Sequence, residues 1–194
     1  MQVSDKKFLN AAAMGDGCVS KRGNSYRLSI THCLKQKEYI EMKAARLSAI
    51  LKRPVSIREF NNSGYPGLRI EVCHPYLKFV YQWLYRPKKT IDISFLRRLS
   101  DEGVAIWYMD DGSLVAKKRD GKIHAYDLTF SMYVTEQEAT NAIQFFKERY
   151  DVDFTLKRNK SHFSIRCGTQ NARKLLTFLR PFAIPTMEYK FLLI

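Results

Sequence analysis

The sequence lacks any apolar run approaching the ~20 residues needed to cross a bilayer, which points away from a helical membrane anchor. The opening "MQVSDKKFLN" is charged and has none of the apolar segment of a secretory signal. A soluble, intracellular protein is the expectation, with the host compartment left open. Paired metal-binding cysteines are missing too: Cys18, Cys33, Cys73 and Cys167 form no Cys-x-x-Cys unit. Zinc modules bring their ligands in close pairs, so these are expected as buried, reduced thiols. Acid is scarce, with 19 Asp+Glu against 33 Lys+Arg.

What is present is a chain of 194 residues, 45% hydrophobic and 13% aromatic, long enough to bury a real core and too apolar to be disordered. The formal charge is +14. Residues 1–95 carry 17 basic against 7 acidic side chains and residues 96–194 carry 16 against 12, so both halves are basic and the first more so. A surplus spread along the chain fits an extended polyanion, nucleic acid first. No basic amphipathic helix argues for a membrane surface.

The chain repeats itself. "YRLSITHCLKQKEY" (26–39) lies over "YDLTFSMYVTEQEA" (126–139), with Tyr26, Leu28 and Ile30 on Tyr126, Leu128 and Phe130. Both alternate apolar and polar, the period of a strand with one buried face. Helices are predicted after each, over 36–51 and 135–149. "PVSIREF" and "GLRIEVCH", joined by "NNSGYP", then answer "VDFTLKRN" and "HFSIRCGT", joined by "RNKS". A last helix ends at Arg86-Pro87 in one half and Arg180-Pro181 in the other. Each half reads helix, strand pair, helix, strand pair, helix, which predicts a pseudo-twofold α+β protein. The expected repeats are residues 1–93 and 94–194, with the connection near 90–100.

If the apolar strand faces pack on helices, Arg27, Ser29, Thr31, Arg58 and Arg69 point outward in one half. Asp127, Thr129, Ser131, Lys157 and Arg166 do so in the other, joined by Arg158, Lys160 and Ser164. Such faces offer donors and acceptors to base edges, and a two-stranded ribbon fits a major groove. The loops "SKRGN", with Lys21 and Arg22, and "AKKRDGK", with Lys117, Lys118, Arg119 and Lys122, suit phosphates.

Two acidic motifs stand out against this basic background: "GDG" at 15–17 and "DDG" at 110–112. Each ends an apolar segment that reads as a buried helix, with Ser4 and Ser100 as the expected N-caps. Ala11 and Gly15, four residues apart, leave one helix face nearly flat for a close partner. A carboxylate at a helix C-terminus meets the negative end of the dipole. One "DG" there reads as a turn; two in register across a repeat read as ends that converge on divalent cations.

The segments "LNAAAMGDG" (9–17) and "VAIWYMDDG" (104–112) resemble the two motifs of a single-chain LAGLIDADG homing endonuclease, and the likeness extends from about residue 5 to 190. The first copy departs most, with Asn10 and the Ala11–Ala13 run in place of more aliphatic residues. The resemblance implies a saddle of two four-stranded antiparallel sheets lying in the major groove of double-stranded DNA, with the motif helices packed at the centre. It implies a monomer that cuts both strands with magnesium, or another divalent cation, held by Asp16 and Asp111. The backbone carbonyls of Gly15 and Asp110 would add ligands, and the Asp110 side chain would be optional. Gln36 and Glu136 would order attacking water, and Lys190 and Lys89 would support phosphate or water. A mobile intron or intein-like origin follows. An intron-splicing maturase acting on intron RNA, and a non-catalytic DNA-binding relative, are the alternatives.

Overall fold

A computed structural model of the chain describes residues 1–62, 64–85 and 88–192. Ser63 of the "NNSGYP" link and the Arg86-Pro87 helix end lie outside these residues. The first repeat runs α1 (Val3–Met14), β1 (Gly17–Arg22), β2 (Ser25–Cys33), α2 (Lys37–Leu51), β3 (Ile57–Asn62), β4 (Tyr65–Cys73) and α3 (Leu77–Leu84). A one-turn helix, α4 (Ile93–Leu96), lies in the connection. The second repeat runs α5 (Asp101–Asp111), β5 (Gly112–Arg119), β6 (Lys122–Val134), α6 (Glu136–Tyr150), β7 (Thr155–Asn159), β8 (His162–Gly168) and α7 (Thr169–Leu179). Each repeat closes its own four-stranded sheet, in the orders β1-β2-β4-β3 and β5-β6-β8-β7, with every neighbouring pair antiparallel.

The two-residue period places Leu28, Ile30, Leu128 and Phe130 in the core. Arg27, Ser29 and Thr31 face the other way. The same alternation corrects the cysteines. All are free, but only Cys167 is buried; Cys18, Cys33 and Cys73 fall on outward or strand-end positions and are exposed. Ser164 is corrected in the opposite sense. It is 1% exposed, because Asn159 folds over it and donates Nδ2–H to its hydroxyl at 2.9 Å.

The helix starts follow capping chemistry. Ser100 accepts the Gly103 N–H at 3.1 Å, as predicted. Ser4 does not cap α1: Asp5 accepts the Gln2 N–H at 2.9 Å, so the helix begins before Ser4 and encloses it. At α6, Thr135 and Glu138 form a reciprocal capping box, the Glu138 carboxylate accepting Thr135 N–H at 2.8 Å.

The motif helices lie against each other at the centre. Phe8 to Met14 of α1 and Gly103 to Met109 of α5 are buried on every side, as expected of helices enclosed by two repeats. Small residues set their spacing: a β-carbon on Gly103 would sit 3.3 Å from that of Ala11. Large ones fill the flanks, with Trp107 packed on Phe130 and Phe146. Burying side chains of this size contributes about 1.5–3 kcal/mol each. Among the described residues, no helix is long and apolar enough to cross a membrane.

Candidate metal centre and nucleic-acid face

At the second "DG" motif helix passes directly into strand, and at the first a two-residue turn, Gly15–Asp16, separates them. A β-carbon on Gly17 would collide with the Ala12 carbonyl oxygen at 1.9 Å, and one on Gly112 with the Tyr108 carbonyl oxygen at 2.4 Å. Glycine therefore permits the chain to leave each helix end sharply, which sets Asp16 and Asp111 at the C-termini of the paired helices.

Their electrostatics are unfavourable. Burial, then the neighbouring Asp110 charge, push the Asp16 carboxyl from 3.8 up to about 6. Burial, Asp110 and Asp16 push Asp111 up to about 7. Asp111 Oδ2 accepts the Trp107 indole N–H at 3.1 Å, and among the described residues it has no salt-bridge partner. Asp16 keeps 36% of its side chain open and has His32 Nδ1 at 3.5 Å, but burial and Lys43 lower the His32 pKa to about 4, so the ring is neutral near pH 7. Lys43, Lys190 and Lys89 pull Asp16 down, and Lys89 pulls Asp111 down, but burial and the acids' mutual repulsion outweigh them. Two carboxylates so under-compensated match the oxygen preference of a hard divalent cation.

The expectation that the Asp110 side chain is optional does not hold. It is fully buried and paired with Lys43 Nζ at 2.7 Å, itself fully buried. Asp110 Oδ1 also accepts the Tyr39 hydroxyl at 2.8 Å, and Oδ2 accepts the Asp16 backbone N–H at 3.1 Å. Asp16, His32 and Asp110 bring ligand-type atoms within 4.8 Å of one another. Asp110 is paired with Lys43 within the protein, whereas Asp111 has no ion-pair partner among the described residues and Asp16 has His32 alone.

Lys89 and Lys190 are partly buried or buried groups that cap the motif helices. Lys89 Nζ donates to the carbonyls of Gly15 at 2.8 Å and Gly17 at 3.1 Å. Lys190 Nζ donates to those of Met109 at 2.5 Å and Asp110 at 3.5 Å. Cations at helix C-termini offset the dipole that the carboxylates oppose. Burial lowers both lysine pKa values, against the pull of the acids. A carbonyl has two lone pairs, so Gly15 and Asp110 each retain one beyond the lysine contact. A cavity of about 300 Å³ opens beside Asp111, lined among others by Gly15, Lys89, Ser131 and Tyr133.

Gln36 stands in the 3-10 turn after β2 and reaches the centre through His32, whose Nδ1 is 3.0 Å from its Oε1. Glu136, its sequence counterpart, is the exposed first residue of α6, and the structure does not bring it into the hydrogen-bond network of the acids. The polar residues missed from sequence are His32, Tyr39 and Lys43. The available signal was a histidine continuing the buried Leu28–Ile30 alternation, and a lysine within the apolar Tyr39, Ile40, Ala44, Leu47 stripe of α2.

On the outer sheet faces the strands align Thr31, Arg69 and Arg58 in one row, and Thr129, Arg166 and Thr155 in a row of the second sheet. Asp127 pairs with Lys117 at 2.6 Å and lies 3.9 Å from Arg166; Arg27 pairs with Glu71 at 3.2 Å. Lys21, Arg22, Lys118, Arg119, Lys122, Lys157, Arg158 and Lys160 are exposed near strand ends, hairpin tips or the edge strand β7.

Comparison with known proteins agrees with this architecture. The homing endonuclease I-WcaI bound to its DNA recognition sequence superposes with a TM-score of 0.79 at 20% identity, over 98% of this chain and 87% of that one. A probable intron-encoded DNA endonuclease 3 of Mycosarcoma maydis is 32% identical over 104 residues, 53% of this chain and 72% of the relative. Protein RecA of Mycobacterium shimoidei is 26% identical over 208 residues, 98% of this chain but only 47% of that protein. Residues 12–175 match the LAGLIDADG DNA endonuclease family, and the chain belongs to that family.

Proposed function

We propose that this chain is a site-specific homing endonuclease that cuts both strands of a long double-stranded DNA target. The observation that carries the reading is the pair Asp16 and Asp111, whose carboxyls stay raised to about 6 and about 7 despite nearby lysines, at the ends of two packed helices in a chain of charge +14. Each repeat, residues 1–93 and 94–194, would lay one sheet in the major groove. Arg58, Arg69, Thr129 and Arg166 would meet base edges, and the hairpin lysines and arginines would meet phosphates.

Magnesium held by Asp16 and Asp111 would supply charge stabilisation at the phosphate and a more acidic bound water. Lys89 and Lys190 would keep the helix ends rigid and add positive potential where phosphate charge develops. Gln36 would orient a water on the Asp16 side; Glu136 is less suited to that role on the other. One chain with internal pseudo-twofold symmetry would serve both strands as a monomer. The Mycosarcoma maydis relative is described as intron-encoded, and we extend a mobile-element origin to this chain on that likeness.

The test is selection from a randomised duplex library with magnesium, for the wild type and for Asp111→Asn and Asp16→Asn. The wild type is expected to leave discrete double-strand breaks and both variants to lose them while still binding DNA in calcium. A wild type that leaves every duplex intact across salt and metal ranges overturns the nuclease reading. An Asp111→Asn protein that cuts as well as wild type overturns the site assignment alone.

A further inference from the structure

We propose that His32 is a positioning residue for Asp16 and Gln36, locked in one tautomer by the buried Lys43–Asp110 pair, and that the surroundings of Asp16 and Asp111 are therefore chemically unequal. The inequality in cutting rests on the nuclease reading; the tautomer does not.

Lys43 Nζ has three partners. It donates to Asp110 Oδ1 at 2.7 Å, faces His32 Nε2 at 3.0 Å and lies 4.2 Å from the centre of the Tyr39 ring. An ammonium has only donors, so His32 Nε2 must accept. The single N–H of the neutral ring is thereby on Nδ1, directed at Gln36 Oε1 3.0 Å away, with Asp16 Oδ2 at 3.5 Å. The tautomer of a histidine is set by the bond its other nitrogen makes, and here that bond comes from an ion pair spanning both repeats. Asp110 completes the ring by accepting the Asp16 backbone N–H at 3.1 Å. Asp16 is held at its backbone by Asp110 and faced at its carboxylate by His32.

The second repeat has none of this. At the positions matching His32, Tyr39 and Lys43 stand Met132, Ala139 and Ile143, and opposite Asp110 stands Gly15. None of the four side chains can donate a hydrogen bond. Asp111 is oriented instead by the Trp107 indole from its own helix. A polar quartet on one side and an apolar set on the other is a coherent replacement, and it leaves the twofold intact in backbone and broken in chemistry.

The first test uses the full chain, free of DNA and metal, with 15N-labelled histidine and long-range proton–nitrogen correlation. A neutral His32 with its proton on Nδ1 is expected; a proton on Nε2, or an imidazolium, near pH 7 overturns the proposal. The second follows each strand of an end-labelled duplex separately. His32→Met, which installs the residue of the other repeat, is expected to slow one strand about tenfold more than the other, the scale of effect outer partners of ligating groups show. His32→Asn, whose amide nitrogen stands where Nδ1 does, is expected to restore most of that loss. Equal slowing of both strands by His32→Met, or no restoration by His32→Asn, overturns the positioning role. A wild type that cuts no duplex fails the nuclease reading, while the tautomer measurement still decides how His32 is held.

Discussion

The carboxylate of Asp110 occupies the space in which Gly15 would carry a side chain: a β-carbon there would lie 2.1 Å from Asp110 Oδ2 and 2.5 Å from Asp110 Cβ. The other oxygen, Oδ1, is held by Lys43 and Tyr39 of α2. An acid from the second repeat is thus buried among partners from the first, and the glycine of the first motif is what admits it. Two copies of either half would not reproduce the contact. Pairing Asp110 with itself would crowd two buried charges, and pairing Gly15 with itself would strand Lys43 in the core.

Gly15→Ala is expected to destabilise the protein by about 3 kcal/mol or more, because the new methyl displaces Asp110 from Lys43 and leaves a buried ion pair broken. Urea unfolding measures the loss. Asp110→Gly removes the obstruction, so the double variant should be more stable than the sum of the single losses implies, with a coupling of about 1 kcal/mol or more. Simple additivity would show that the two residues do not compete for space.

Lys43→Met removes the cation while keeping the volume of the stripe on α2. Breaking one side of a buried pair costs about 3–5 kcal/mol, whereas removing both charges is often neutral. Thermal or urea unfolding should therefore find Lys43→Met severely destabilised and Lys43→Met with Asp110→Asn close to wild type. A single variant as stable as the double would mean that the pair is not desolvated.

The duplicated pattern made the architecture legible, because hydrophobic periodicity and turn residues are local properties and a repeat states them twice. Asp16 and Asp111 were legible for the same reason, each preceding a glycine at a helix end. The quartet around Asp110 was not. His32 lies on a strand, Lys43 on the following helix, and their acid lies 67 residues beyond Lys43. Their meeting depends on how two repeats dock, which no local period encodes. Glu136 failed where Gln36 reached the centre because matching in sequence did not reproduce the contacts: Gln36 bonds to His32, and the second repeat has Met132 at that place. Ser164 had the right strand parity and was lost to a side chain folding over it.

Metal and pH should be linked through Asp16 and Asp111. Their folded-state values, about 6 and about 7, lie above the ordinary 3.8, so the folded protein holds protons that the unfolded chain has released. Without metal, their contribution to stability is present below the ordinary carboxylate range and is lost as pH rises through about 7. A cation that replaces those protons should raise Tm at pH 8 and do little at pH 5. His32 acts in the opposite sense, since a folded value near 4 means stability is lost as pH falls below 6.5. The measurement is therefore the difference between wild type and Asp111→Asn, with and without chelator. Asp111→Asn should flatten the fall toward high pH and reduce the gain from magnesium; an unchanged profile would remove Asp111 from the metal set.

Salt should separate the residues that grip from those that read. Arg22 lies at the end of β1, whereas Arg69 sits mid-sheet between Thr31 and Arg58, its guanidinium 4.5 Å from the centre of the Phe60 ring. That ring lies over Gly67, where a β-carbon would meet it at 2.7 Å, so the glycine leaves room for the aromatic ring on which the arginine stacks. Affinity for the target duplex in calcium is expected to fall by about a thousandfold or more between 50 and 200 mM salt if six or more phosphates are neutralised. Arg22→Gln should weaken all duplexes alike and reduce the salt slope by about one. Arg69→Ala should instead cost about 1–3 kcal/mol on the target and relax preference at one base pair. The outcome that contradicts this division is a loss from Arg69→Ala that is equal on every sequence, which would make Arg69 another phosphate contact and move base readout elsewhere on the sheet.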